Sequence, residues 1–484
     1  MIGPRLALAL TVFLAVPATF AAESLGLRES LPTDEETTPP PAPAPPLPPP
    51  LPADAVTGVV APKPSANPVA PKVTEAAIRT MPTLAVDSTN EATGTISGTD
   101  LRRTVEEDPY VPLGIRVGEF TYYPAVTVAG GYTSNALSAA GGKGAPLVAV
   151  EPEAVLKSNW SRHAMTLSMR GSYETFPGSP APAIPTADVL ATGRLDLADR
   201  WTANLEAGYD FSEQSVSNPN FPQGAVTPPG VHDAHAQVAL DGGAGPGVFA
   251  LTSRAERTVY ENGITAAGMV IDEGDRNNDL FDQKLRLGYE LTPLFTPFIE
   301  GELAERLYDR HLDDNGLNRS SHDTALRAGF AFNDAPVLSG EIALGGRQET
   351  FDDKSLATLR ALTVDGSLVW SPTALVSLTS KVSTGFNPET DPKSSGSVFY
   401  DGNVDLAYAY RRNATLNWTA DIRNEHFQGI GETDWTYQIG VNNVWKLNRN
   451  LQLTCGYVHE WLASNVASRR FTDDTLRVDL RVQE

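Results

Sequence analysis

In WTANLEAGYDFS, residues 201–212, apolar and polar side chains alternate. One face carries Trp201, Ala203, Leu205, Ala207, Tyr209 and Phe211. The other face carries Thr202, Asn204, Glu206, Gly208 and Asp210. A period of two places successive side chains on opposite faces of a β-strand, so this run predicts a strand between an apolar and a polar environment.

The same alternation returns along the C-terminal three quarters of the chain, for example in residues 281–291, 416–425 and 476–482. Turns rich in Gly, Pro, Asn, Asp and Ser separate these runs, at intervals of about 40 residues. The predicted turns are residues 158–161, 197–200, 241–247, 292–294, 333–336, 371–373, 411–413 and 448–450. Longer connections, such as 212–231, 261–278, 310–320 and 388–395, lie between them. Strands joined alternately by short and long connections are typical of outer-membrane β-barrels.

Counting these runs predicts an antiparallel transmembrane β-barrel of about eighteen strands, with sixteen to about twenty left open. The first strand is predicted at 121–133 and the last at 475–482. An even count places both barrel ends on one side, which the short turns assign to the periplasm. The rival is a soluble all-β protein, but soluble strands usually run to about five or six residues, whereas many runs here reach a dozen. Trp160, Trp201, Trp370, Trp418 and Trp445 lie near the turns, as in the aromatic girdles of barrels in lipid.

The N-terminus predicts export to the bacterial outer membrane of a Gram-negative cell. Residues 1–21 combine the basic Arg5, the apolar run 6–16 and small residues before a cleavage site, as in a signal peptide. Residues 22–100 include a dense proline stretch that cannot join a helix or a sheet ladder, which predicts a disordered periplasmic segment. It is interpreted as a tether, or as a spacer that reaches peptidoglycan or an export component. Residues 101–484 are then the barrel.

Composition excludes several classes of function. The formal net charge of −22 argues against a nucleic-acid partner, because phosphates would be repelled. The single cysteine, Cys455, cannot form an internal disulfide. We expect no cofactor and no metal. The expected partners are outer-membrane lipid and lipopolysaccharide, the barrel assembly machinery, and small solutes or a polysaccharide.

The segment DPYVPLGIRVG, residues 108–118, followed by Pro124 and by GGYTSN at 130–135, resembles the outer-membrane β-barrel porins of alphaproteobacteria. The resemblance extends through the strand pattern over about residues 101–484. It implies an outer-membrane barrel, and some members of that family are associated with exopolysaccharide production or export. It implies no defined substrate.

Strand parity predicts a lumen with charged walls. The candidate lining residues are Arg170, Arg194, Glu206, Arg254, Glu256, Arg286, Glu300, Glu302, Arg306, Arg327, Arg347, Lys381, Asp421, Arg423, Arg477 and Arg481. Two interpretations stay open: opposite charges pair across strands and stiffen the wall, or rings of mixed charge select solutes. The leading functional hypothesis is therefore a porin or channel for passive passage of hydrophilic solutes, with a link to exopolysaccharide export as one version.

Two loops invite further hypotheses. The connection 212–231 either folds inward and narrows the pore or stands in the medium. The acidic stretch 272–279 has oxygen ligands at calcium-like density but lacks the full EF-hand spacing, so a solvated loop is the favoured interpretation.

Two other classes of function remain as alternatives. A plugged barrel would be structural or adhesive and act through its surface loops. An outer-membrane hydrolase would need Ser, His and a carboxylate together, and no spacing around His163, His311, His322 or His459 marks such a triad.

Overall fold

In a computed structural model, the structure describes residues 109–198, 200–218, 220–222, 224–332, 337–391 and 393–484. The predicted signal peptide, the proline-rich segment and the first residues of the predicted barrel segment, 101–108, lie outside the described residues. So do residues 333–336 of one predicted turn.

Eighteen long strands, each of about a dozen residues or more, follow one another along the chain. The first nine are β1 (Phe120–Thr133), β2 (Ala145–Ser158), β3 (Ala164–Thr175), β4 (Ile184–Ala198), β5 (Trp201–Glu213), β6 (Gly230–Ala244), β7 (Gly247–Tyr260), β8 (Asn278–Tyr289) and β9 (Phe295–Tyr308). The second nine are β10 (Ser321–Phe332), β11 (Leu338–Phe351), β12 (Leu359–Thr373), β13 (Val376–Asn387), β14 (Gly396–Arg411), β15 (Ala414–Gln428), β16 (Thr433–Lys446), β17 (Leu451–Ser464) and β18 (Phe471–Gln483).

The strands form a closed antiparallel barrel. Each strand pairs with the next, and β18 pairs with β1 from Ala125 opposite Gln483 to Thr133 opposite Thr475. Closure satisfies the backbone hydrogen-bonding groups of both would-be edge strands, which a wall immersed in lipid requires. The predicted fold class and the count of eighteen are confirmed.

Connections after even-numbered strands are short, and all of them lie at the barrel end that holds both termini of the wall. Two predicted turns, 241–247 and 371–373, begin at residues that still belong to strands in the structure. The strand β6 continues through Ala244, and only Gly245 and Pro246 turn the chain, with Gly245 at φ +56°. The preceding Gly242 serves packing, because a Cβ there would come within 2.2 Å of the Trp201 ring.

The second displaced turn is at residues 371–373, which belong to β12. The ladder between β12 and β13 shifts between Trp370 and Thr373, so Pro372 sits at a bulge and needs no ladder donor. The turn itself is Ala374 and Leu375. Proline at a bulge and glycine under an aromatic ring both imitate turn signals in sequence.

Connections after odd-numbered strands include the longest loops, at 214–229, 261–277 and 309–320. The first two are joined by a small three-stranded sheet of Ala225–Thr227, Gly263–Thr265 and Val270–Ile271. Short 3₁₀ helices occupy Gly274–Arg276 and Ala467–Arg469. At the other end, Ile115–Val117 pairs with the beginning of β1.

The outer face of the wall is apolar. Leu362, Leu326 and Leu303 expose 78%, 68% and 63% of their surface, which a protein in water would bury. Their neighbours in sequence point to the other side of the wall, as period-two alternation requires. Within the part of the chain that the structure describes, no helix is long and apolar enough to cross a membrane.

Candidate functional site

The strand register aligns the predicted lining residues on the face opposite the exposed leucines, which is the inner face of the closed wall. Arg170 and Arg194 lie on β3 and β4, Glu206 on β5, Arg254 and Glu256 on β7, Arg286 on β8, Glu300, Glu302 and Arg306 on β9, Arg327 on β10, Arg347 on β11, Lys381 on β13, Asp421 and Arg423 on β15, and Arg477 and Arg481 on β18. Which of them contact a passing solute stays a prediction.

A connected set of ion pairs runs along the inner wall from β8 to β12. Arg286 binds Glu300 on β9 at 2.6 Å and Glu341 on β11 at 2.7 Å. Arg327 binds Glu302 at 2.6 Å and Asp365 on β12 at 2.8 Å. Each guanidinium thus ties strands that are not direct neighbours, which stiffens this part of the wall.

Glu302 joins the arginines of this set. Besides Arg327, its carboxylate lies 3.6 Å from the Lys284 ammonium and 3.8 Å from the Arg347 guanidinium. Arg347 also binds Asp323 at 2.7 Å. The guanidiniums of Arg286, Arg327 and Arg347 and the Lys284 ammonium are therefore neutralised by neighbouring carboxylates.

Smaller ion-pair sets occupy the rest of the circumference. On β5 to β7, Glu206 lies 3.5 Å from Arg254 and 3.2 Å from His235, and Arg254 lies 3.3 Å from Glu256. Arg194 lies 3.2 Å from Asp196.

On β14 and β15, Arg423 lies 3.4 Å from both Asp401 and Glu425. On β18, Arg477 binds Glu151 and Asp479, and Arg481 binds Glu153 at 2.8 Å. Arginines around the wall thus share the same environment of cross-strand carboxylates.

Aromatic rings hold some of these arginines flat against the wall. The Arg286 guanidinium lies 4.0 Å from the centre of the Phe298 ring, and that of Arg423 lies 4.1 Å from the Phe399 ring. Stacking of this kind adds a cation–π attraction and fixes the guanidinium plane. The sequence analysis missed both phenylalanines, although their inward parity beside an arginine on the paired strand was a usable signal.

Three aspartates form a row on the inner wall that the sequence analysis also missed. Asp188 on β4 is directly opposite Asp210 on β5, and Asp210 is directly opposite Asp233 on β6. Arg170 precedes the row on β3, opposite Asp188. Like charges directly opposite on one sheet face repel one another, and Arg170 and His235 offset part of that repulsion.

Loops from opposite sides of the wall meet over the barrel mouth at the long-loop end. Loop 214–229 leaves the wall between β5 and β6, and loop 388–395 leaves it between β13 and β14, almost half the circumference away. The Asn220 side-chain oxygen accepts hydrogen bonds from the Thr390 amide at 3.3 Å and hydroxyl at 3.4 Å. Of the two predicted conformations of this loop, the contacts agree with the one that narrows the pore.

Two arginines fasten loop 214–229 to its other neighbours. Buried Arg276 donates to the Gln214 side chain at 3.1 Å and to the Asn220 carbonyl at 3.4 Å, and it lies 3.9 Å above the Tyr260 ring. Arg469, between β17 and β18, donates to the Ser217 carbonyl at 3.2 Å. The loop is therefore held from three directions.

Arg319 organises the facing loop. Its guanidinium, 3% exposed, binds Asp313 at 2.7 Å and donates to the carbonyls of Glu389, Asp391 and Ser394. The loop that Asn220 contacts is thus itself pinned to loop 309–320.

The acidic stretch 272–279 uses its carboxylates within the protein. Hydrogen bonding from Arg310 lowers the pKa of Asp272, whereas burial raises the pKa of Glu273 and of Asp275. Glu273 lies 2.9 Å from Arg276, and Asp275 accepts the Asp314 amide at 3.2 Å. Among the described residues no group of three His, Cys, Asp or Glu side chains could hold a metal ion.

The histidines do not assemble a hydrolytic centre in the described part of the chain. His459 lies 2.7 Å from Asp474 on the outer face, but the hydroxyl of Ser134, the residue after β1, donates to Asp473. His163 exchanges hydrogen bonds with Asp196 at the opposite end of the barrel.

Comparison with known proteins identifies a family. The profile of the family described as "Putative beta-barrel porin 2" matches residues 108–484. No curated protein matches the chain.

The chain is also similar, at low sequence identity, to three solved structures. A mutant of the ferric enterobactin receptor PfeA from Pseudomonas aeruginosa has 9% identity and a TM-score of 0.39, covering 75% of this chain and 80% of that chain. The siderophore receptor PirA from Acinetobacter baumannii has 7% identity and a TM-score of 0.39, with the same coverage. The copper transporter OprC has 8% identity and a TM-score of 0.42, covering 77% of this chain and 81% of that chain.

Proposed function

The chain belongs to the family described as "Putative beta-barrel porin 2", and on that premise we propose that it is an outer-membrane channel through which small hydrophilic solutes diffuse passively. The observation that carries the proposal is the difference in polarity between the inner and outer faces of the wall. Ion-paired arginines and carboxylates cover the inner face, while exposed leucines cover the outer face. A wall of this kind encloses water within lipid.

The barrel is wide enough for a channel. A strand spacing of about 4.8 Å and a tilt of about 40° give roughly 35 Å between opposite backbones for this strand number. The inward side chains reduce this width, and the loops that meet over the mouth reduce it further at one end. Passage is therefore restricted to solutes that fit beside loop 214–229.

We also propose an orientation and a domain organisation. The short turns face the periplasm and the long loops face the medium, as in outer-membrane barrels generally. Residues 1–21 are then a signal peptide and residues 22–100 a proline-rich periplasmic segment.

A plugged structural or adhesive barrel is the second candidate, and the loop contacts over the mouth favour it. If the contacts of Asn220, Arg276 and Arg469 with the loops around the mouth seal it, no solute passes. Export of an acidic exopolysaccharide has less support, because a thick polymer would have to displace the same contacts.

Single-channel recording separates these candidates. The full chain is extracted from outer membranes in detergent, after whatever processing the cell performs, and is inserted into planar lipid bilayers. Discrete current steps support the channel, and heat-denatured protein serves as the control. Silence from protein that shows the heat-modifiable gel mobility of a folded barrel would overturn the channel in favour of the plugged barrel.

A further inference from the structure

We propose that the lumen passes small cations in preference to anions; this inference rests on the proposed channel and names its class of solute. The argument concerns the charge balance over the whole inner wall. It depends on how the positive side chains are bound, on where negative side chains lack a cation opposite them, and on the charge of the loop over the mouth.

Most arginines of the inner wall are bound by carboxylates. Arg327 binds carboxylates of three residues, Glu300, Glu302 and Asp365, at 3.3, 2.6 and 2.8 Å. Arg286 binds two and is also stacked on Phe298. A guanidinium fixed between carboxylates attracts a passing anion weakly, because the field of its neighbours cancels its own at a distance.

The segment from β4 to β6 carries an excess of negative charge. In these strands, Arg194 is the only Arg or Lys with inward parity, and it is paired with Asp196. The row Asp188, Asp210 and Asp233 lies on the same segment. Neither Asp210 nor Asp233 has a cation directly opposite in the register. The residues opposite Asp210 are Asp188 and Asp233, and the residue opposite Asp233 on β7 is Thr258.

The opposite side of the lumen is also acidic. Asp405 lies inward on β14, and Asp421 on β15 lies opposite Asn403, which donates to it at 2.6 Å. Asp401, also inward on β14, is paired with Arg423. Strand β14 is about half the circumference from β5, so the two acidic wall segments face each other across the channel. A solute between them experiences a negative potential from both sides.

The loop over the mouth does not reverse this charge. Residues 214–229 include no Asp, Glu, Lys or Arg. Its polar groups are amides, hydroxyls and carbonyls, which hydrate either sign of ion. The charge preference of the channel is therefore set by the wall.

The test measures reversal potentials under a KCl gradient, with the full chain from outer membranes in planar bilayers. We expect K⁺ to be more permeant than Cl⁻, and the preference to fall at high salt, where the Debye length drops from about 10 Å to about 3 Å. The triple variant Asp188→Asn, Asp210→Asn, Asp233→Asn is expected to lower the permeability ratio at least about twofold.

The matched control removes the same number of charges away from the lumen: Asp279→Asn and Glu305→Gln on the outer face, with Asp352→Asn in an exposed loop. It is expected to leave the ratio unchanged. If the triple variant does not fold, Asp405→Asn with Asp421→Asn tests the opposite wall. Conductance with no cation preference, or a ratio that both lumen variants leave unchanged, overturns this inference alone, whereas silence of a folded barrel overturns the channel as well.

Discussion

Asn220 and Thr390 are joined by two hydrogen bonds, although their loops leave the wall almost half the circumference apart. The side-chain oxygen of Asn220 is the acceptor of both, at 3.3 and 3.4 Å. Removing it tests whether this contact restricts the mouth.

Asn220→Ala is expected to raise single-channel conductance. Each of the two lost hydrogen bonds weakens the loop contact by about 1 kcal/mol. The equilibrium constant for separation of the loops therefore rises about fivefold for each bond. Planar-bilayer recording measures the change. The control Asn448→Ala removes a side-chain amide from a turn at the opposite end of the barrel. There the Asn448 side-chain oxygen accepts a hydrogen bond from the backbone amide of Asn450 at 2.8 Å. An unchanged conductance in both variants would mean that the contact does not limit passage.

Arg276→Ala is expected to loosen loops 214–229 and 261–277 without unfolding the wall. The change removes the donors to Gln214 and Asn220, and it leaves Glu273 buried without its ion-pair partner. Loss of one partner of a buried ion pair destabilises the local structure by about 3–5 kcal/mol. Limited proteolysis of intact cells reads out the exposed loops. Arg276→Lys keeps the charge and loses the fork geometry, so it should give an intermediate rate. Equal protection in all three proteins would show that Arg276 does not hold the loops.

Glu302→Gln is expected to destabilise the barrel, because Arg327, Arg347 and Lys284 lose a shared carboxylate. We expect a decrease in the free energy of unfolding of about 1–3 kcal/mol, since the remaining acidic partners compensate in part. Urea titration of protein in lipid vesicles measures it. Glu305→Gln, on the outer face of the same strand, should change it by less than about 0.5 kcal/mol. The opposite order of effects would contradict the inward network.

Met169→Arg and Ser168→Arg place the same charge on opposite faces of β3 at nearly the same depth. Met169 points outward and is 44% exposed, so its replacement by Arg is expected to cost about 2–4 kcal/mol in lipid. Ser168 points into the lumen, where water solvates a charge, and the cost there should be below about 1 kcal/mol. Unfolding in lipid vesicles and heat-modifiable gel mobility check both. Similar costs at the two positions would contradict the assignment of faces.

The strand runs, the short turns after even-numbered strands and the family resemblance were all readable in the sequence. Alternation in residues such as 201–212 depends only on neighbours along the chain, so it identifies faces without knowledge of other strands. Boundaries were less accurate at 241–244 and 371–373. There, glycine packs under Trp201 and Pro372 occupies a bulge, and both depend on contacts with residues outside the turn.

The alternation along each strand therefore predicts which side chains point inward, including the arginines and glutamates of the wall. The pairing of these side chains depends on the tertiary structure. The row Asp188, Asp210 and Asp233 exists because the register of two strand pairs aligns them. The meeting of Asn220 with Thr390 exists because closure of the barrel brings distant loops over one mouth. Register and closure are set by interactions between strands far apart in sequence, and no local pattern encodes them.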